Sequence, residues 1–299
     1  CEIPVWHDDA QGTACVTLAG VINALKLAGK KMAEAKFVLF GAGASNTTIA
    51  RLLITDGVKP ENMVIFDTKG SLHKDREDIK KDKRFYRKWE LCETTNTHKK
   101  LTMEEAMKDA DVLVSLSTPG PDTIKQEWVR LMAEKSIVFV CANPIPEIYP
   151  YAAKEAGAFI VATGRGDFPN QVNNSIGFPG ILKGALMVKA KKITDNMAIA
   201  AAHSLANFAE KRGINPEDIV PNMQEADVFP IEAADVAMQA IKDGVARHIM
   251  TWDEAYEMAK KDIMHARAMT DMLVEKDFIK QPEQKMLDEA LEWAVKQVK

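Results

Sequence analysis

The sequence predicts an α/β fold, a doubly wound parallel sheet of Rossmann type followed by C-terminal helices packed on it. Three observations predict it. The apolar run Phe37 to Phe40 meets glycines spaced G-x-G (Gly41, Gly43), and a helix-like segment follows. A second β-prone run, Met63 to Phe66, ends in Asp67, roughly 20 residues past the turn, where a dinucleotide fold places the acid that binds the adenosine ribose. Further short, almost wholly apolar runs alternate with helical segments, as expected of a parallel sheet covered on both faces.

The glycine turn explains itself physically. Glycine at position 41 allows the tight turn, and glycine at 43 lets backbone approach a pyrophosphate held on the free N–H groups of the following helix. Gly41, Ala42, Gly43, Ala44, Ser45 and Asn46 are therefore the expected cofactor-binding stretch. Asn46 stands where the fingerprint has its third glycine and is expected to loosen helix packing without abolishing nucleotide binding.

In chain order, residues 1–30 form a linker and helix. A short apolar run precedes the adjacent acids Asp8 and Asp9, and Val16, Leu18, Ala19, Ile22 and Leu25 then recur at helical spacing until Gly29. Residues 31–180 form the dinucleotide-binding α/β domain. Within it, 69–100 is charged with interleaved acids and reads as a solvated excursion on the sheet's rim. Thr102 begins a capped helix, and the run from Asp111 to Ser117 is a strand ending in Thr118-Pro119-Gly120-Pro121. A helix from about Asp122 leads to the strand at Ile137, which ends in Asn143-Pro144-Ile145-Pro146-Glu147. The strand Phe159 to Ala162 leads into Thr163-Gly164-Arg165-Gly166-Asp167. Residues 181–299 are helical, with stripes over 184–192, 194–212, 231–244, 252–270 and from about 282, expected to pack back on the sheet.

Composition sets bounds. The 299 residues are 46% apolar and 27% charged with a formal net charge of -4, an ordinary globular balance that gives no electrostatic reason to expect nucleic acid or an anionic membrane. No apolar run reaches the roughly 20 residues a bilayer needs. Cys1, Cys15, Cys92 and Cys141 show no C-x-x-C spacing and read as reduced thiols of a cytoplasmic protein. The chain starts at Cys1, with no initiator methionine, and runs at once into a chemically loaded segment, as the middle of a longer polypeptide would.

Ligands of a doubly wound sheet bind beyond the carboxyl ends of its strands. The residues there are Gly41 to Asn46, Asp67, Ser117 and Thr118, Asn143, and Thr163 to Asp167. Ser117 and Thr118 lie where cofactor ribose or nicotinamide passes, and the Asn143 amide suits a ribose or a substrate carboxylate. The loop 168–174 carries four side-chain amides in five positions, suited to a small polyoxygenated acid. Asp8 and Asp9 suit a hard cation, but two acids fall short of the roughly six oxygens that Mg²⁺ or Mn²⁺ takes.

These residues carry a resemblance. Ile3-Pro4-Val5-Trp6-His7-Asp8-Asp9-Ala10-Gln11-Gly12, the Gly41 turn, Ala142 to Glu147 and the stretch from Ala162 through Asn174 to Gly180 resemble the NAD(P)-binding half of malic enzymes of the bacterial short form. The resemblance implies divalent-metal-dependent oxidative decarboxylation of L-malate to pyruvate and CO₂ with NAD(P)⁺, by a homodimer. It implies Asp9 as a Mg²⁺ or Mn²⁺ ligand, Asp8 as the partner of the general-base lysine, and Asn143 and Asn174 as substrate-binding residues. In that family the lysine, a tyrosine acid and a Glu–Asp metal pair precede the H-D-D motif, so the chain as given is expected to bind dinucleotide without turning over malate alone. Asp67 favours NAD, with Lys69, Lys74 and Arg76 near enough in sequence to accommodate NADP. The alternatives are a malolactic enzyme, told apart by its product, a nucleotide-sensing regulatory module, and an amino-acid dehydrogenase, which needs no metal.

Overall fold

A computed structural model describes residues 3–96 and 100–298. Cys1 and part of the expected 69–100 excursion therefore lie outside the described residues. The chain opens with a π-helical turn, Asp8–Gly12, that runs directly into α1 (Thr13–Ala28). Gly29 ends α1 at φ 71°, the left-handed cap that glycine adopts freely.

Six strands follow: β1 (Phe37–Phe40), β2 (Met63–Asp67), β3 (Gly70–Ser71), β4 (Val112–Ser115), β5 (Ile137–Val140) and β6 (Ile160–Thr163). Their order is β3-β2-β1-β4-β5-β6, parallel throughout except for the antiparallel pair β2–β3. β3 was hidden in the sequence because two residues carry no periodicity. The crossovers are α2 (Ala44–Thr55), α3 (Glu77–Lys80), α4 (Tyr86–Thr94), α5 (Met103–Met107), α6 (Gln126–Val129) and α7 (Pro150–Glu155). Thr102 and Glu105 close the expected capping box on α5.

Side chains alternate across the sheet. Phe37, Leu39, Ile65, Val114, Phe139 and Ile160 face one core, which continues into α1, α2 and the C-terminal helices. Val38, Leu113, Val138, Val140 and Val161 face a smaller core closed by residues of α5, α6 and α7. Both faces are covered, which is why the strands read as unbroken apolar runs.

The C-terminal helices are α8 (Phe178–Met187), α9 (Asp195–Arg212), α10 (Val228–Lys242), α11 (Trp252–Glu275) and α12 (Gln284–Val298). Several boundaries differ from expectation, two of them with a visible cause. α8 starts six residues before Gly184, because Pro179 fits its first turn. The helix expected from Asp122 shrinks to α6, because the Ile124 N–H is held by the Glu147 carbonyl at 3.0 Å and the preceding stretch closes as a turn, the Thr123 N–H donating to the Gly120 carbonyl at 3.1 Å. The expectation that 181–299 packs on the sheet also needs correction, since every residue of α12 up to position 297 is exposed.

One core group stands out. Glu232 on α10 is fully buried and neither carboxyl oxygen has a hydrogen-bond partner. It presses on α8 so closely that a Cβ on Gly180 would lie 2.2 Å from Oε2. Burial pushes the Glu232 carboxyl well above the ordinary glutamate value; the close Gly180 backbone N–H opposes the rise without forming a well-aligned hydrogen bond, and the nearby Asp235 charge adds to it. The folded chain thus holds a proton that the unfolded chain releases above about pH 4.3. This contribution is fully present below that pH, and stability falls as pH rises through the window above it. Glu232→Gln is expected to flatten the fall and to raise unfolding free energy at pH 8 by about 1–3 kcal/mol in urea titrations, with little change at pH 4.5. Equal effects at both pH values would contradict a buried, protonated Glu232.

Candidate dinucleotide and substrate site

The site lies at the carboxyl edge of the sheet and begins at the turn between β1 and α2. Gly41 sits at φ 99°, and a Cβ there would come within 2.4 Å of the Leu116 carbonyl oxygen. Glycine is therefore required on two independent grounds. Above Gly43 a Cβ would meet nothing within 4 Å, so the backbone is open to an incoming ligand. α2 has no side-chain cap at its N-terminus, leaving its first-turn N–H groups free. Open backbone, free donors and the positive end of the helix dipole fit a pyrophosphate.

Asn46 corrects the sequence expectation. Its side chain is buried and donates to the carbonyls of Phe40 at 3.0 Å and Gly41 at 2.8 Å. The amide ties the helix to the strand end, where a third glycine would only have allowed close packing. Its side chain is turned onto the strand end, with Oδ1 buried and unpaired, so only its backbone N–H belongs to the open first turn of α2.

Asp67 closes β2 and is more crowded than the sequence suggested. The Arg76 guanidinium forks across both its oxygens at 3.0 and 2.8 Å, the Lys69 N–H donates at 2.9 Å, and Lys88 stands 3.4 Å away. Burial works to raise the Asp67 carboxyl, but Arg76, the Lys69 N–H and the Lys88 charge outweigh it and hold the pKa below its ordinary value. Arg76 is itself buried and also grips Asp78 at 2.9 Å. The stretch expected to be a solvated excursion therefore contains a buried ion-pair network. Of the cations named from the sequence, Arg76 reaches Asp67, Lys69 pairs with Asp78, and Lys74 is exposed. Lys88 escaped notice because it is 21 residues from the acid it approaches.

The Asp8–Gly12 turn bridges the nucleotide turn and the amide loop. Ser45 Oγ donates to the Asp9 carbonyl at 2.7 Å, which fastens the turn to the start of α2. Asp8 accepts from Trp6 Nε1 at 3.0 Å and from Asn174 Nδ2 at 2.5 Å. A Cβ on Gly12 would lie 2.1 Å from Asp8 Oδ1, so this carboxylate is folded back onto its own turn. Asp9 is exposed. Of the amides in 168–174, Asn170 is buried and bonds three backbone groups, while Asn173 Oδ1 accepts from the Ser175 N–H. Only Asn174 meets an acid of the site. Among the described residues there is no cluster of three or more potential metal ligands.

Ser117 and Asn143 lie at the ends of β4 and β5. Asn143 is exposed and precedes a cis peptide to Pro144. It lies beside Gly164, where a Cβ would fall 2.9 Å from its Nδ2. Thr118 is exposed beyond the strand. The group that organises both ends is Glu147, fully buried, to which the sequence analysis assigned no role. Its Oε1 accepts from Ser115 Oγ at 2.7 Å and the Ser117 N–H at 2.8 Å, and its Oε2 from the Ala142 N–H at 3.1 Å.

Strand order, glycine turn and uncapped helix together define a dinucleotide-binding domain of the doubly wound class. The profile described as "Malic enzyme, NAD binding domain" matches residues 10–242, and the chain belongs to the malic enzyme family. It is 42% identical to the bifunctional malic/malolactic enzyme of Bacillus subtilis over 87% of this chain and 62% of that protein. It is 40% identical to the NADP-dependent malic enzyme of Halomonas elongata, over 83% of this chain and 60% of that one. Identity to the NAD-dependent malic enzyme of Geobacillus stearothermophilus is 38%, over 82% and 50%. A solved malic enzyme of Entamoeba histolytica superimposes with a TM-score of 0.97 at 63% identity, covering 100% of this chain and 62% of that one. The chain thus spans between half and two-thirds of the length of these relatives.

Removing the brace between β4 and β5 gives a direct check. Glu147→Ala leaves the half-buried Ser117 N–H, the buried Ser115 hydroxyl and the buried Ala142 N–H without their acceptor and is expected to lower unfolding free energy by about 3 kcal/mol in denaturant titrations. A loss under about 0.5 kcal/mol, the level of a neutral surface change, would contradict the brace.

Proposed function

We propose that this protein serves the oxidative decarboxylation of L-malate to pyruvate and CO₂ with reduction of NAD⁺, as a cytoplasmic homodimer that depends on Mg²⁺ or Mn²⁺. The observation that carries the reading is the Asp8–Gly12 turn, which joins the N-terminus of α2 through Ser45 to Asn174 through Asp8. A dinucleotide bound on α2 would lie beside carboxylates and amides suited to a small dicarboxylic acid. The buried, unpaired thiols Cys15, Cys92 and Cys141 support a reducing compartment.

A bound dinucleotide would supply a hydride acceptor for C2 of malate, and a divalent ion would supply the Lewis acid that eases loss of CO₂. The first-turn N–H groups of α2 hold the pyrophosphate, with Gly41 to Asn46 lining it, and Ser117 and Thr118 border the nicotinamide ribose. Asn143 and Asn174 donate side-chain N–H groups to a substrate carboxylate. Asp9, exposed at the turn, supplies one oxygen ligand to the cation. Asp8, oriented by Trp6 and Asn174, orients the general-base lysine. The residues assigned here include no general base, and among the described residues no third ligand joins them to complete a metal site, so the 299 residues are expected to bind dinucleotide without turning over malate alone.

NAD is the preferred cofactor. Arg76 is saturated by Asp67 and Asp78, which leaves it no free fork for a 2′-phosphate.

The test is calorimetric titration of the 299-residue chain with NAD⁺ and NADP⁺, alongside an assay of malate-dependent NADH and product. NAD⁺ is expected to bind at least tenfold more tightly than NADP⁺, Asp67→Ser to narrow that gap, and the chain alone to form no pyruvate. Tighter NADP⁺ binding would overturn the cofactor assignment, and pyruvate from this chain alone would overturn the division of catalytic groups. In a chain extended to the relatives' full length, lactate in place of pyruvate and NADH would overturn the malic reading.

A further inference from the structure

The last 40 residues do something other than complete the fold. In α11 only Ala255 and Ala259 are buried, while Tyr256 and Ile263 pack partly on the core. Beyond them the helix carries Met269, Met272 and Leu273 into solvent, and Phe278 follows at 79% exposed. α12 then repeats Met286, Leu287, Leu291 and Val295 at helical spacing, with Trp293 66% exposed beside the stripe. A soluble helix seldom leaves such a stripe bare, and a patch of this size marks an interaction surface. The arm lies outside residues 10–242 that match the family profile, yet the Entamoeba histolytica malic enzyme superimposes over 100% of this chain, arm included.

The body of the chain carries a surface of complementary character. A cleft of about 470 Å³ separates the Ile3 to Trp6 segment from α8. Ile3 is 71% and Leu186 74% exposed at its walls, with Leu182 and Trp6 beside them. Lys189 and Arg247 line it as well, and neither enters an ion pair among the described residues. The stripe of α12 is flanked by Asp288, Glu289 and Glu292; Glu289 and Glu292 stand 3.8 and 4.0 Å from Lys285 and Lys296 of the same helix, exposed pairs weak enough to give way to the two cations of the cleft.

We propose that the α11–α12 arm is exchanged between two copies of this chain, with the apolar stripe of α12 seated in the partner's cleft between the Ile3 to Trp6 segment and α8. This rests on the homodimer reading above and names its surface. A twofold axis supplies each bare stripe with a cleft and each cleft with a stripe, the self-complementary contact of a closed dimer. The apolar side chains of one arm expose on the order of 1,000 Å², which meets the roughly 800 Å² per partner that a stable interface takes. Exchange also sets the two nucleotide sites in one assembly, since the cleft wall runs on through Trp6 to Asp8 at 3.0 Å.

The experiment is light scattering on the 299-residue chain and its variants, with circular dichroism melts to confirm the fold. Wild type is expected at twice 33.1 kDa and Leu291→Asp/Trp293→Asp at that mass itself, with unchanged melts because both side chains are exposed. Arg247→Glu is expected to weaken the dimer at least tenfold, and adding Glu292→Arg to restore it. A dimer that persists in Leu291→Asp/Trp293→Asp overturns the arm while the homodimer stands. A monomeric wild type overturns both, and failure of Glu292→Arg to restore Arg247→Glu overturns the cleft as the receiving surface.

Discussion

The nucleotide edge depends on how closely the β1–α2 turn passes the end of β4. The Leu116 N–H donates to the Phe40 carbonyl at 3.1 Å, and the Leu116 carbonyl lies where a Cβ of residue 41 would be. The strands can stay in register only if the chain turns away without a side chain, in a left-handed conformation, and glycine alone does both. The direction of α2 follows from that turn, and so does the aim of its free N–H groups. Asn46 then locks the geometry from beneath with two buried donors to strand-end carbonyls. The single departure from the glycine fingerprint is thus a replacement of close packing by hydrogen bonding.

A second constraint works at the other half of the edge. A buried carboxylate is tolerable only when its lone pairs are satisfied, and Glu147 meets this by gathering donors from the ends of β4 and β5. The loops that carry Ser117 and Asn143 are thereby held at a fixed separation. Asp67 shows the same logic with a cation, since Arg76 bonds both of its oxygens. In each case the charge positions loops of the candidate site, and Glu232, buried without a well-formed hydrogen bond, stands in contrast.

Much of this was legible in the sequence. Strands buried on both faces leave unbroken apolar runs, so β1, β2, β4, β5 and β6 stood out, and the glycine turn marked the candidate edge. Thr102 with Glu105 announced α5 because a capping box is a local signal. What escaped has one physical character: it depends on contacts between residues far apart in sequence. β3 is two residues long and exists only through its pairing with β2. Arg76 and Lys88 looked like solvated charges until folding brought them to Asp67. Glu147 had no assigned role until its 30-residue reach to Ser117 was seen. The Asn-rich loop misled in the opposite sense, because Asn170 and Asn173 bind backbone and only Asn174 reaches Asp8.

The central claim is that the uncapped first turn of α2, held open by Gly41 and Asn46, receives the dinucleotide pyrophosphate. Hydrogen–deuterium exchange of the backbone amides with and without NAD⁺ tests it most directly. Slower exchange at Gly43 to Asn46 on addition of NAD⁺, with α12 unchanged, is the result expected. Protection confined to other segments, with those amides exchanging at the same rate in both states, would contradict it.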